Sequence, residues 1–286
     1  MPPIRVHRAA VVPADALVPR LAPRERERLD RAAPADRDAV ASVLLLVRLA
    51  VAERCGVAPD QVRVRRRCPR CGSAAHGVPV AYRADGGSVP HVSLSRARRL
   101  VVVALSDAGP VGVDIEKTHP DPGPARTDVE HAHPNTRPAR AGVVQAHPDP
   151  PPACTDVDHA HPNPRAAHPD PGPARTGDRL ARVVLAPGEP PAAGPHGLLR
   201  TWARTEAVLK AAGTGLAVDP RALRVSDAAG RPEVRVVDPA AARPLAVPPG
   251  TRWWLTDLDA GPDHVAALAA PLPWPSEVDD RTTTLA

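Results

Sequence analysis

A proline-rich repeat in the middle of the chain most constrains what this sequence can fold into. The segment THPDPGPARTDVEHAHPN (118–135) returns as AHPDPPPACTDVDHAHPN (146–163) and, in shorter form, as AHPDPGPARTG (167–177). Proline lacks a backbone donor and cannot continue a helix or a central strand. The repeat also has few large apolar groups to offset the entropy lost on ordering. We therefore predict a disordered insertion over 118–177 that separates two globular halves.

Each half is predicted to contain one long helix and about three strands. The halves are 1–117 and 178–286, and their helices, at 35–57 and 198–216, are ended by Gly56 and Gly213. Strands are expected at 62–68, 91–95, 100–106 and 111–115 in the first half, and at 222–226, 233–237, 251–258 and 263–272 in the second. The last of these is rich in alanine, which also allows a short helix.

The charge of the chain leaves several classes of partner open. The net charge is +5, which suits nucleic acid, an acidic protein or a phosphorylated small molecule. Arginine supplies nearly all of the basic residues, and the two lysines, Lys117 and Lys210, run against that bias. The N-terminus lacks the apolar core of a signal peptide, and the apolar run near 39–52 is too short to span a bilayer. With four cysteines, we expect a cytoplasmic protein without structural disulfides.

The stretch VGVDIEK (111–117) ends an apolar strand in two carboxylates. Alternation along a strand puts Asp114 and Glu116 on one face and Val113 and Ile115 on the other. Like charges side by side repel unless a cation or solvent separates them. One interpretation is a strand that runs out into solvent. The other is half of a divalent metal site that needs a third oxygen ligand.

The second helix carries residues that could complete such a site. Trp202, Glu206 and Lys210 lie at i, i+4 and i+8, close to one stripe of the helix. Taken alone, Glu206 and Lys210 would form an ordinary surface pair worth a few tenths of a kcal/mol. Taken together with Asp114 and Glu116, Glu206 is a candidate third carboxylate and Lys210 a candidate phosphate ligand.

These residues carry a resemblance to a known family. VGVDIEK together with WARTEAVLKAAGTGL (202–216) resembles the two signature motifs of the Sfp-type 4′-phosphopantetheinyl transferases, G-[VI]-D-[VI]-E and W-x-x-K-E-x-x-x-K. Segments 93–106, 68–80 and 255–269 resemble further segments of the actinobacterial members. The resemblance covers nearly all of both halves and none of the repeat.

The resemblance implies an α+β fold, in which two similar halves form a pseudo-dimer and each packs a helix on a small, mostly antiparallel sheet. Coenzyme A would bind in the cleft between the halves, and Mg²⁺ would hold its pyrophosphate. A serine of an acyl or peptidyl carrier protein would receive the phosphopantetheine arm. The carrier could belong to fatty-acid, polyketide or peptide synthesis, and the enzyme would act as a monomer, without nucleic acid or membrane.

The resemblance also implies roles for single residues. Glu206 would be the general base, and Lys210 would stabilise the departing phosphate. The metal ligands would be Asp114, Glu116 and Glu206, and the coenzyme A contacts would be Arg37, Ser95, Arg96 and Lys210.

Four positions depart from the family pattern and keep alternatives open. Arg96 replaces a phosphate-binding histidine, Val78 and Thr205 replace basic residues, and Ala39 replaces an arginine. A relative that binds coenzyme A or carrier protein with little catalysis is one alternative. A nucleic-acid-binding protein, based on RVRRRCPR (63–70), is another.

A possible zinc site is independent of the transferase motifs. Cys68, Cys71 and His76 have the spacing of half a zinc knuckle, and a plain turn between strands is the competing interpretation.

Overall fold

The computed structural model describes residues 3–68, 71–73, 77–118, 180–245, 251–271 and 277–285. Apart from Thr118, the predicted insertion lies outside these described residues. That the insertion is disordered therefore remains a prediction. None of the described helices combines the length and apolarity needed to cross a lipid bilayer.

The described residues form an α+β fold, as predicted. The helices are α1 (Ala14–Leu17), α2 (Pro23–Asp30), α3 (Arg37–Cys55), α4 (180–184) and α5 (Gly197–Ala211). The strands are β1 (Ile4–Ala10), β2 (Val62–Arg67), β3 (Val78–Arg83), β4 (His91–Arg96), β5 (Leu100–Ser106), β6 (Gly112–Lys117), β7 (Leu223–Ser226), β8 (Pro232–Val236), β9 (Trp253–Leu258), β10 (His264–Pro271) and β11 (Val278–Thr282).

The strands pair into two larger sheets and two strand pairs. The first sheet has the order β11-β1-β5-β4, and the second has the order β6-β10-β9. The pairs are β2–β3 and β7–β8, both antiparallel. Within the larger sheets, β1 and β11 run parallel, and the other neighbours are antiparallel.

The two larger sheets pack face to face, with a long helix on the outer side of each. Val103 of β5 shares a core cluster with α3. Val102, the preceding residue, points the other way and packs in a cluster with Val113 and Ile115 of β6. Ala267 of β10 belongs to the cluster formed with α5. Because side chains alternate along a strand, each sheet packs one face on a helix and the other face on the opposite sheet. The layer order is helix, sheet, sheet, helix.

Both predicted long helices are confirmed, and glycines end them as expected. Gly56 follows α3 with φ of 64°, and Gly213 follows α5 with φ of 73°. Both values lie in the left-handed region that glycine adopts without steric cost. The segment 263–272 forms the strand β10 and not a short helix.

The strand pairing departs from the predicted division of the chain at two strands. β6 was assigned to the first half, but it pairs with β10, where Asp114 lies opposite Ala267. β11 belongs to the second half of the sequence, but it pairs with β1 in the first sheet. Strand pairing over such distances leaves no local pattern in a sequence. That the two helix-on-sheet units are copies of one fold remains a prediction.

A single glycine lets α5 lie directly on β6. A Cβ atom added at Gly112 would sit 1.9 Å from the carbonyl oxygen of Ala207 and 2.5 Å from the backbone nitrogen of Ala211. Real Cβ atoms do not approach backbone atoms that closely, so only glycine permits this contact. The glycine thus determines how near the helix comes to the strand that bears Asp114.

We predict that Gly112→Ala lowers the free energy of unfolding by about 3 kcal/mol, because α5 must move away from β6. Urea denaturation measures the loss. Gly56→Ala is the matched control, since its added Cβ meets nothing within 4 Å. The free energy of unfolding of that control should fall by only about 1 kcal/mol, the cost of holding alanine in the left-handed conformation. Equal losses in the two variants would contradict the close contact.

Candidate active site

β6 and α5 bring five of the singled-out polar or aromatic side chains together. Asp114 and Glu116 project from β6 towards α5, on the face opposite to Val113 and Ile115. Trp202, Glu206 and Lys210 project from one stripe of α5 towards β6. The side chains that the strand and helix periods placed on one face of each element therefore lie in one cluster.

Asp114 is the buried centre of the cluster. Its side chain has 0% exposure, so the strand does not run out into solvent at this residue. The Oδ1 atom accepts hydrogen bonds from Ser95 Oγ at 2.7 Å and from Lys210 Nζ at 2.6 Å. A buried carboxylate with two such partners, one of them cationic, is held in a defined orientation.

Lys210 and Ser95 therefore have contacts other than those first predicted. Lys210 Nζ is bonded to Asp114 and lies 3.3 Å from the carbonyl oxygen of Val113, so it is not a simple surface partner of Glu206. Ser95 was predicted to contact coenzyme A, but its buried hydroxyl is directed at Asp114. The neighbouring Ser93 Oγ accepts a hydrogen bond from the Val113 nitrogen at 3.0 Å. These two serines join β4 to β6.

Glu116 is oriented by the tryptophan of the helix. Trp202 Nε1 donates a hydrogen bond to Glu116 Oε1 at 2.9 Å. No contact between Trp202 and the carboxylates was predicted, because helical spacing alone does not show a hydrogen bond between two elements. The indole is buried and fixes one carboxylate.

Two oxygen atoms of the cluster are buried without a hydrogen-bond partner. They are Asp114 Oδ2 and Glu206 Oε1. Burial is the largest effect that raises the pKa of Glu206, and Asp114 adds to it while Lys210 opposes it. Burial, followed by the charge of Asp114, likewise raises the pKa of Glu116. The positive charge of Lys210 therefore compensates the negative charge of the carboxylates only in part.

The chemistry of this donor set suits a hard divalent cation. Carboxylate oxygens are the ligands that Mg²⁺ prefers, and two buried carboxylate oxygens here have no hydrogen-bond partner. Among the residues that the structure describes, however, no three His, Cys, Asp or Glu side chains converge in the arrangement of a ready metal site. The residues fit the ion by type, by crowding and by unsatisfied oxygens, while their present side-chain positions do not form a closed set of ligands.

A cavity of about 230 Å³ lies at the N-terminal end of α3, and it includes one of the predicted phosphate contacts. Arg96 lines this cavity together with Ala39 and Arg98. Arg96 also lies 3.6 Å from a carboxylate oxygen of Asp36. Arg37 was predicted to contact coenzyme A, but its guanidinium donates to the carbonyl oxygen of Leu29 at 3.1 Å. The structure therefore does not bring Arg37 to this cavity.

A group of arginines near Arg96 was not singled out from the sequence. Burial, followed by the charges of Arg66, Arg96 and Arg31, lowers the pKa of Arg28 to about 9. No acidic group is among these influences, so the arginines repel one another. Such a group favours a bound anion. In this arginine-rich chain no local signal distinguishes Arg28 from its neighbours.

One of the departing positions has a structural role instead of a phosphate contact. Thr205 is buried and donates its hydroxyl to the carbonyl oxygen of Thr201 at 3.0 Å. The preceding residue, Arg204, is also buried and forms a bidentate pair with Asp257, at 2.8 and 2.7 Å. The basic residue on this turn of α5 therefore braces the helix against β9 and does not reach the cluster.

The possible zinc site lies only partly within the described residues. The backbone nitrogen of Cys68 donates to the Ser73 carbonyl oxygen at 2.8 Å, and Gly72 donates to the Cys68 carbonyl oxygen at 2.9 Å. These bonds form a tight turn around Cys71. His76 lies outside the described residues, so zinc binding here remains a prediction.

Part of this chain is similar to a known protein. No protein-family model matches the sequence. Over 100 residues the chain is 40% identical to the holo-[acyl-carrier-protein] synthase of Solidesulfovibrio magneticus, and the alignment covers 33% of this chain and 80% of that protein. The chain therefore belongs to the family of the holo-[acyl-carrier-protein] synthases, the phosphopantetheinyl transferases.

We predict that Glu206→Gln stabilises the metal-free protein at pH 8 by about 1 kcal/mol. Glutamine keeps the shape of the side chain and removes a buried charge that Asp114 repels. Urea denaturation in the presence of a chelator measures the change. Glu27→Gln, an exposed change on α2, is the control and should stay within about 0.5 kcal/mol of the original chain. A destabilised Glu206→Gln would show that the carboxylates are not crowded as described.

Proposed function

We propose that this protein transfers the 4′-phosphopantetheine arm of coenzyme A to a serine of an acyl or peptidyl carrier protein. The observation that carries the proposal is the cluster of Asp114, Glu116 and Glu206, crowded and partly unsatisfied, with Lys210 beside it. Membership of the phosphopantetheinyl transferase family supports the same reaction, since the relative's name describes conversion of acyl carrier protein to its holo form.

The reaction replaces the phosphoanhydride bond of the coenzyme A pyrophosphate with a phosphodiester bond to the carrier serine. The serine oxygen of the carrier attacks the phosphorus that bears the pantetheine arm, and its proton goes to the Glu206 carboxylate. The bond from that phosphorus to the oxygen of the adenosine 3′,5′-bisphosphate portion breaks, and the electron pair leaves with that oxygen. Lys210 would offset the negative charge of the leaving group. Positioning and charge compensation are the main contributions that a protein makes to phosphoryl transfer.

Magnesium fits this role, and its ligands would be Asp114, Glu116 and Glu206. When bound, the ion would neutralise the pyrophosphate oxygens of coenzyme A. The protein's own contribution is to hold its ligands. Ser95 fixes Asp114, and Trp202 fixes Glu116, so these two carboxylates each have one oxygen tied to the protein.

The arginines near the cavity at α3 are suited to the phosphates of coenzyme A. Arg96 takes the place of the family's histidine, and a guanidinium binds phosphate well. Arg28 and Arg66 add positive charge next to it. We propose that these residues replace the contacts that Ala39 and Val78 cannot make.

We further propose that the protein is of the Sfp type and acts as a monomer. The support is that one chain contains two helix-on-sheet units, α3 on the first sheet and α5 on the second, as the pseudo-dimer predicts. The choice among fatty-acid, polyketide and peptide carriers is left to experiment. A cytoplasmic location is part of the same proposal.

A weaker catalyst that mainly binds coenzyme A or carrier protein is the second candidate. The observation that favours it is the loss of three family cations near the phosphates. Val78 is apolar, and Thr205 is bonded to its own helix. Ala39 replaces the third cation, and the nearby Arg37 is bonded to Leu29 instead. Uncompensated, each lost charge-assisted bond would weaken coenzyme A binding by about 1–3 kcal/mol.

We predict that the purified protein, with coenzyme A, Mg²⁺ and an apo carrier protein, adds the mass of one phosphopantetheine to the carrier. Asp114→Asn and Glu206→Gln should each lower the rate by at least about a hundredfold, because each removes a charge needed for the metal or the proton transfer. Mass spectrometry of the carrier measures the product.

Glu53→Gln, an exposed change at the end of α3, is the matched control and should keep the full rate. An undiminished rate in Asp114→Asn or Glu206→Gln would refute the assigned roles. Tight coenzyme A binding by calorimetry, without transfer to any of the three classes of carrier, would favour the second candidate.

A further inference from the structure

A buried histidine beneath the last described strand has no part in the proposed chemistry. His7 is 1% exposed and lies on the side of β1 that packs on α3, as does Ala9 two residues further on. Its Nδ1 atom lies 3.3 Å from Thr283 Oγ1. Its Nε2 atom is buried and has no hydrogen-bond partner among the described residues. Both ring nitrogens are thus withdrawn from water, and the bonded one depends on a residue that follows β11.

Thr283 belongs to a strap that closes one edge of the first sheet. We call residues 278–285 the strap; they comprise β11 and the three residues after it. Among the described strands, β11 lies at the edge of its sheet and pairs with β1. Beyond β11, the Thr283 nitrogen donates to the Arg8 carbonyl oxygen at 2.7 Å. Leu285 is buried in the core cluster of α3, and its carbonyl oxygen accepts from the Arg20 guanidinium. The strap can leave the sheet without breaking any other pairing between described strands.

Charged groups from three elements surround the His7 ring. They are Glu53 of α3, Arg281 and Asp279 of β11, and Arg5 of β1. The residue of β5 opposite His7 is an apolar valine. Arg281 pairs with both Glu53 and Asp279. Because each carboxylate is already paired with an arginine, the two contribute little to stabilising a positive charge on the ring.

A second proton on the ring is unfavourable in this position. A neutral ring with its proton on Nδ1 donates to Thr283 and leaves only a lone pair at Nε2. The charged ring carries an N–H at Nε2 as well, and a buried N–H without an acceptor is costly. Burial is the largest effect on the pKa of His7 and lowers it from the usual 6.5, while Glu53 opposes the shift and Arg281 adds to it. Opening of the strap would return the ring to water.

We propose that His7 is a pH-sensitive latch, which holds the strap at neutral pH and releases it in mildly acidic solution. Opening removes Thr283 and Arg281 from the ring, which then takes up a proton that the closed form excludes. The latch therefore stabilises the closed strap above about pH 6.5, and this stabilisation is lost as the pH falls below that value. Release exposes the edge of β1 and the core position that Leu285 fills. The latch does not depend on the proposed transfer reaction, since its residues lie outside the candidate active site.

Hydrogen exchange of the full chain, followed by mass spectrometry, tests the latch. Exchange of the strap amides is measured from about pH 7.5 to about pH 5 and corrected for the intrinsic pH dependence of exchange, with β9 as the internal reference. His7→Gln removes the titration and keeps a donor for Thr283. Asp280→Asn is the control, because Asp280 also lies on the strap but pairs with Arg8 on the other side of the sheet. Circular dichroism checks that each variant is folded.

We expect strap opening in the original chain to rise about five- to tenfold between pH 7.5 and pH 5.5. The upper value is the limit for one histidine that is protonated only when the strap is open. His7→Gln should give the same protection at both pH values, and Asp280→Asn should keep the rise. A rise that persists in His7→Gln, or its absence from the original chain, overturns the latch.

The pH at which the rise begins gives a second test, which needs no variant. A histidine that regains its usual pKa on opening weakens the strap from about pH 6.5 downwards. The hydrogen bond from Arg281 lowers the pKa of Asp279, so that carboxylate would release the strap only below about pH 4. Burial raises the pKa of Asp280, so its titration would strengthen the closed strap in acid. Release that starts only below about pH 5 would therefore exclude His7 as the latch.

Discussion

The arrangement of the site depends on the buried carboxylate of Asp114. A carboxylate withdrawn from water is costly unless hydrogen bonds and opposite charge compensate it. Here the compensation comes from two other elements, through Ser95 of β4 and Lys210 of α5. The positions of β4, β6 and α5 are therefore mutually dependent, and the polar contact between the two larger sheets coincides with the centre of the candidate active site.

The helix α5 is held from two sides, and this explains how a cluster of like charges can persist. On one side, Gly112 admits the helix backbone against β6. On the other, the Arg204 guanidinium binds Asp257 of β9 and also donates to Ser226 Oγ at 2.6 Å. A rigidly anchored helix can hold Glu206 near Asp114 even though their charges repel. Strain of this kind at functional sites is offset by stability elsewhere in the fold.

Local patterns in the sequence predicted the parts of the site but not all of its contacts. Helical and strand periods placed Asp114, Glu116, Glu206 and Lys210 on the correct sides of β6 and α5, because those periods depend only on neighbouring residues. The burial of Ser95 against Asp114 depends on how two sheets meet, which no local pattern records.

The same limit explains what the sequence missed elsewhere in the fold. The strands β1, β3 and β11 were not predicted. β6 was assigned to the first half but pairs with β10 of the second, since strand pairing is set by distant residues. Arg37 turned towards α2 because a carbonyl oxygen there accepts its guanidinium. Arg204 was overlooked because an arginine is not expected in a core unless its partners are known.

The exchange of β6 and β11 between the sheets has a consequence for how the protein is made. β6 cannot pair until β10 exists, and β1, although it can pair with β5, lacks its second neighbour until β11 exists. His7 and Thr283, which contact each other across that pairing, are 276 residues apart. On the ribosome, the second sheet therefore remains incomplete until β10 has been translated, and the first sheet until β11 has been translated. A chain with such long-range pairing folds slowly and exposes strand edges while it does so. Chaperones that shield nascent chains would have the whole length of the proline-rich repeat, and the unit after it, in which to act.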